Sequence, residues 1–127
     1  MKRILTFILA ALLVLCGCGE KTEENSYLQI TQEAAKSMID SQEVIILDVR
    51  EQFEFDAGHI PGAVLLPVGA ITKESAAAVI PELESVVLVY CRSGNRSKTA
   101  SDALVALGYT NVYEFGGINT WPYEIEI

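Results

Sequence analysis

The chain has 127 residues, half of them apolar, and a formal net charge of −8 from 9 basic and 17 acidic side chains. Such apolar content suffices for a buried core and excludes long disorder or a disulfide-dense scaffold. The acidic balance excludes non-specific binding to nucleic acid or to an anionic membrane surface.

The amino terminus reads as an address. Lys2 and Arg3 precede a 12-residue apolar run at 4–15. That run has the length of a secretory signal core and falls short of the roughly 20 residues a membrane span needs. It ends in "LCGC", residues 15–18, which resembles a bacterial lipobox with Leu15 three positions before the acceptor, Gly17 just before it, and Cys18 as the acceptor. Cys16 departs from the small residue commoner at its position. The implied division is a signal peptide at 1–17, a lipidated Cys18 with a polar tether to residue 26, and one domain at 27–127. The protein would then be extracytoplasmic, held to a bacterial membrane by lipid. The alternatives are an uncleaved signal anchor, or a Cys16/Cys18 pair that binds metal or cross-links. Without the signal, 7 basic and 17 acidic residues remain, a net −10. Cys91 is then the one thiol left in the folded part.

Strand-like and helix-like stretches alternate through that part. Residues 27–30 are predicted as a short strand. Thr31 caps a helix over 32–40 with Ala34, Ala35, Met38 and Ile39 on one face. The β-branched run 43–49 is predicted as a strand covered on both faces. A short helix over 51–58 ends at Gly58, and a turn at Pro61-Gly62 leads into a short strand. Residues 71–83 form a helix capped by Thr72 and disturbed by Pro81. Residues 85–91 form a second buried strand. A helix over 97–108 turns Ala100, Ala103, Leu104 and Leu107 inward and stops at Gly108. Residues 111–115 make a last strand, Trp121 packs on the core, and Glu124 and Glu126 belong to a solvated tail. Such alternation argues for a mainly parallel sheet with helices on both faces. Ligands of such sheets sit at the carboxyl ends of strands, where Cys91 lies.

A thiolate is the reactive form of cysteine. The helix start near residue 96, the loop 92–95 with its permissive Gly94, and the charges of Arg92 and Arg96 form a cradle for anionic sulfur and an anionic substrate. His59, the one histidine, sits in a turn and reads as a turn-bracing hydrogen-bonder. A Cys-His protease is therefore a poor fit.

The stretches "ILDVREQFEFDAGHIPGA" (46–63), "VVLVYCRSGNRS" (86–97) and "VYEFGGINTW" (112–121) resemble a single-domain rhodanese, a sulfurtransferase. The resemblance runs from about Leu28 to Trp121. It implies the rhodanese-like α/β fold, with a mainly parallel five-stranded sheet flanked by helices on both faces. It implies that Cys91 takes a sulfane sulfur from a donor such as thiosulfate and passes it from a persulfide to cyanide, a thiol or a protein. Arg92 and Arg96, with the loop N–H groups of Ser93, Gly94, Asn95 and Ser97, would hold the donor's oxyanion. Asp48 and Arg50 would support the site. No metal or organic cofactor is implied, and the chain reads as a monomer.

Two other readings stay open. One is a sulfur-carrying or protein-binding module without turnover. The other is a phosphatase or arsenate reductase of the same fold. Those carry a loop one residue longer, suited to a tetrahedral phosphate. No acid is evident beside this loop to protonate a leaving alcohol.

Overall fold

The computed structural model describes residues 26–127. The signal segment, Cys16, Cys18 and most of the tether lie outside the described residues.

Five strands form one sheet in the order β1-β5-β4-β2-β3, every pair parallel. They are β1 (Leu28–Gln29), β2 (Ile45–Asp48), β3 (Val64–Leu65), β4 (Val86–Cys91) and β5 (Asn111–Gly117). The long apolar strands β4 and β2 occupy the middle, and the two-residue strands β1 and β3 form the edges. This follows from composition: Val87, Leu88 and Val89 are apolar in succession, so only a position covered on both faces keeps them dry.

Alternation along the strands divides the core in two. Leu47, Val87, Val89 and Val112 face one way and pack with Ala76 of α3 (Lys73–Val79), Ile80, and Ala100 and Leu104 of α4 (Asn95–Ala106). Ile46, Leu88 and Phe115 face the other way and pack with Ala35 of α1 (Gln32–Ser41) and Trp121. Helices therefore cover both faces. The fourth helix, α2 (Gln52–Ala57), buries no residue and sits in the connection after β2.

The predicted caps are present. Thr31 Oγ1 accepts from Ala34 N–H at 3.0 Å, and Thr72 Oγ1 accepts from Ser75 N–H at 3.0 Å. α3 stops at Val79, two residues before Pro81, whose ring disfavours helix in the residue before it.

Two expectations need correction. α4 begins at Asn95, inside the segment read as loop, so only Arg92, Ser93 and Gly94 connect it to β4. Its buried face is Ser97, Ala100, Ser101 and Leu104, while Ala103 and Leu107 are half-buried. The stripe is rotated because the helix must carry Ser97 beneath the end of β4, and serines let it approach closely. Glu124 and Glu126 are exposed, as expected of a solvated tail, yet Glu126 is also anchored. It pairs with His59 in an antiparallel bridge, and the two exchange backbone hydrogen bonds of 2.9 and 2.8 Å.

Candidate active site

Cys91 closes β4 at its carboxyl end. The register between β4 and β5 shifts between Val89 and Cys91, which brings Cys91 opposite Gly117. Three residues later Gly94 takes a left-handed conformation, φ +105°, and starts α4. A side chain there would strain the turn. The turn aims the Gly94 N–H at Cys91 Sγ, 3.1 Å away. Ser97, one turn into α4, places its Oγ 3.4 Å from the same sulfur.

The loop is buttressed from behind. The Asn119 N–H donates to the Arg92 carbonyl at 3.1 Å. Gly117 passes directly beneath that carbonyl. A Cβ on Gly117 would overlap the Arg92 carbonyl and come within 2.6 Å of Ser93 Cα, so only glycine permits the approach.

Cys91 is 1 % exposed and is the free cysteine of the described residues. Burial raises its pKa. Hydrogen bonds from the Ser97 hydroxyl and from the N–H groups of Ser97, Gly94 and Ser93 act the other way, and they hold the thiol below its ordinary value. A thiol that merely filled space would need no donors. Here backbone N–H groups converge on the sulfur with a serine hydroxyl in contact, and the arrangement favours an anion.

The side chains near the sulfur divide into two groups. Ser97 and Gly94 are buried against it, while Arg92, Ser93, Asn95 and Lys98 are exposed around the rim. Arg96 is half-buried and engaged: its Nη1 and Nη2 donate to the two carboxylate oxygens of Glu54 at 2.8 and 3.0 Å. Arg96 sits in the first turn of α4, where a cation opposes the helix dipole, and the carboxylate from α2 offsets that conflict.

Glu54 also corrects the expectation that no acid lies beside the loop. The Arg96 hydrogen bonds, outweighing burial and aided by the Glu51 N–H, lower its pKa to about 2. It is ionised at neutral pH and cannot protonate a leaving alcohol.

Asp48 and Arg50 form a buried brace at the end of β2. Arg50 Nη2 lies 2.7 Å from Asp48 Oδ2 and donates to the Gly58 carbonyl at 2.7 Å. The Tyr90 hydroxyl donates to Asp48 at 2.6 Å and accepts the Ile60 N–H at 3.1 Å. The brace reaches the site through Tyr90, the residue before Cys91. His59 braces its turn: one ring nitrogen lies 2.9 Å from the Phe55 carbonyl and the other 3.2 Å from Glu126.

Sequence reasoning missed Glu114. It is 2 % exposed on β5, and the Ser97 hydroxyl donates to its Oε2 at 2.5 Å. Its signal was available: Val112 and Glu114 share a face, so the alternation puts an acid where an apolar residue belongs.

The profile of the family described as "Rhodanese-like domain" matches residues 31–123. YrkF of Bacillus subtilis, named as a sulfur carrier protein, is 36% identical over 112 residues, which is 85% of this chain and 59% of that one. The chain thus spans little more than half of that relative. The thiosulfate sulfurtransferase GlpE of Coxiella burnetii is 33% identical over 96 residues, covering 75% of this chain and 87% of GlpE. Among solved structures, an Escherichia coli rhodanese with anions superposes with a TM-score of 0.62 at 30% identity, covering 66% of this chain and 98% of that one. A rhodanese-related protein of Thermoplasma volcanium gives 0.65 at 30% identity, covering 79% and 98%.

Proposed function

Because this chain belongs to the rhodanese-like domain family, we propose that it is a sulfurtransferase in which Cys91 carries a sulfane sulfur as a persulfide. The carrying observation is the sulfur at the tip of β4, with the Gly94 N–H at 3.1 Å and the Ser97 hydroxyl at 3.4 Å. The Gly94 N–H donates to the sulfur and favours the thiolate, the form that attacks, while Ser97 Oγ accepts the thiol proton and holds the sulfur in place.

In the proposed reaction the thiolate attacks the terminal sulfur of a donor such as thiosulfate. The donor's S–S bond breaks and its electron pair leaves on sulfite. The persulfide keeps the single negative charge, which the loop N–H groups stabilise. An incoming cyanide, thiol or protein thiolate then takes the outer sulfur and releases Cys91. This double displacement gives ping-pong kinetics. In this scheme the Arg92, Arg96 and rim N–H groups hold the donor's oxyanion, Asp48 and Arg50 brace the neighbouring segment, and no cofactor takes part. A terminal sulfur is a slim atom, which suits a cradle closed by three loop residues better than a tetrahedral phosphate does.

A carrier reading has its own support. Cys91 is 1 % exposed, and the carrier YrkF is among the similar proteins. One measurement separates the readings. Mass spectrometry after thiosulfate treatment is expected to find one added sulfur on Cys91, removed by cyanide with turnover and absent in Cys91→Ser. A persulfide that forms once and resists cyanide favours the carrier. A folded chain with an unmodified thiol rejects both.

Lipidation at Cys18 and an extracytoplasmic location belong to the same proposal. They rest on the sequence alone. Radiolabelled palmitate is expected to label the wild-type chain and not Cys18→Ser; equal labelling would reject the anchor.

A further inference from the structure

Behind the thiol sits a buried carboxylate that the sulfur chemistry above does not use. Gln29 Nε2 donates to Glu114 Oε1 at 3.2 Å, the Gly116 N–H donates to Oε2 at 3.0 Å, and the Ser97 hydroxyl donates to Oε2 at 2.5 Å. Ser97 Oγ in turn accepts the Cys91 thiol at 3.4 Å. Thiol, hydroxyl and carboxylate thus form one chain, and the sulfur and Oε2 are no more than about 6 Å apart.

A serine hydroxyl has one proton. It cannot be donated to a Cys91 thiolate and a Glu114 carboxylate together. Two anions this close, one of them fully desolvated, also repel strongly, and like-charged neighbours of this kind do not both ionise readily. We infer that Cys91, Ser97 and Glu114 share one proton, with Glu114 as the positioning residue that stores it while the sulfur is anionic. The proton sharing is a property of the free protein; its use in turnover rests on the sulfurtransferase reading.

The transfer balances. In the resting arrangement Sγ–H donates to Ser97 Oγ, and Ser97 Oγ–H donates to the carboxylate. In the reactive one, the S–H bond and the original Ser97 O–H bond break while a new Ser97 O–H bond and a Glu114 O–H bond form. The cluster carries one negative charge before and after, moved from carboxylate to sulfur. Ser97 then points its hydrogen at the thiolate. When the outer sulfur departs to its acceptor, the Cys91 thiolate is the leaving group, and the reverse transfer returns its proton.

The surrounding groups are few. Tyr27, ahead of β1, lies within electrostatic reach of Glu114 and of Asp102 of α4. Lys98 of α4 lines the same groove as Glu114. Arg96 interacts electrostatically with Cys91. From α1, the neutral Gln32 lies beside Gly116.

The test is the pH dependence of Cys91 alkylation by iodoacetamide in the full-length chain, read on the Cys91 peptide by mass spectrometry. Wild type is expected to give a broad profile in two coupled steps. Glu114→Gln mimics the protonated carboxyl. It should collapse the profile to one step with its midpoint lower by about one pH unit, hence about tenfold faster alkylation on the acid side. In a Ser97→Ala background the same substitution should move the midpoint by much less. A Glu114→Gln profile that overlays wild type, with circular dichroism unchanged, overturns the inference. So does an equal shift in both backgrounds, which would be a field effect that bypasses Ser97. Should Glu114→Gln not fold, carbon-13 NMR of Glu114 Cδ in the wild-type chain reads the same coupling. The Cδ resonance should move at the pH where Cys91 titrates and lose that step in Cys91→Ala. A resonance blind to Cys91 overturns the proposal. A chain that gives the expected profiles yet gains no sulfur from thiosulfate retains the proton sharing and loses the sulfurtransferase reading.

Discussion

Replacing Glu54 by glutamine removes the carboxylate charge that Arg96 grips with two hydrogen bonds while leaving a side chain of nearly equal size. The depression of the Glu54 pKa from 4.5 to about 2 sets the energy scale. Taken at face value the shift is worth roughly 3 kcal/mol. The Arg96 side chain, however, is 34 % exposed against 15 % for Glu54. Solvent and salt screen such a pair, so about 1 kcal/mol is the expected contribution. Because the folded-state pKa is lowered, that stability is fully present above pH 4.5 and is lost as pH falls toward 2. Urea denaturation of wild type and Glu54→Gln should therefore show a gap of about 1 kcal/mol near neutral pH that shrinks as pH falls and vanishes below about pH 2. A gap of the same size at both ends would mean that the variant changed packing and not charge, and the argument from the ion pair would fail. A larger gap in high salt than in low would refute it equally.

Two more substitutions probe the frame of the site. Tyr90→Phe deletes a hydroxyl that donates to buried Asp48 and accepts the Ile60 N–H; it should lower stability by about 2 kcal/mol with no change in the denaturant slope. An unfolding midpoint within error of wild type would show that water satisfies the orphaned groups. Gly117→Ala forces a methyl into the Arg92 carbonyl, so it should misplace the loop and cut sulfur loading of Cys91 at least tenfold while the far-ultraviolet circular dichroism stays native. Undiminished loading would show that the close approach is dispensable.

Local chemistry was legible in the sequence where one segment decides. The Thr31 and Thr72 hydroxyls reach their own helices, and the β-branched run before Asp48 can only be a covered strand. The position of Cys91 at the tip of a buried strand follows from the same pattern. Relations between distant segments were not legible. Glu54 and Arg96 are 42 residues apart, and nothing in either neighbourhood names the other. The rotation of α4 depended on the need to set Ser97 under β4, a tertiary demand that overrides the stripe of larger apolar residues. Glu114 lies between these cases. The alternation of β5 marks it as an inward acid, but its partners Ser97, Gln29 and Gly116 come from three places in the chain.

All five strands run in one direction, so the molecule has two unlike poles. β1 enters the sheet from the side where strands begin, with Leu28 level with Tyr113 and hence with Leu88, and Cys91 stands three residues further along β4, roughly 10 Å. The described chain therefore enters β1 running toward the pole that holds the sulfur. Under the lipid-anchor proposal, a tether at the amino-terminal end of β1 would leave the reactive tip turned outward, so that a partner approaching from open solution would meet the loop that carries the thiol first.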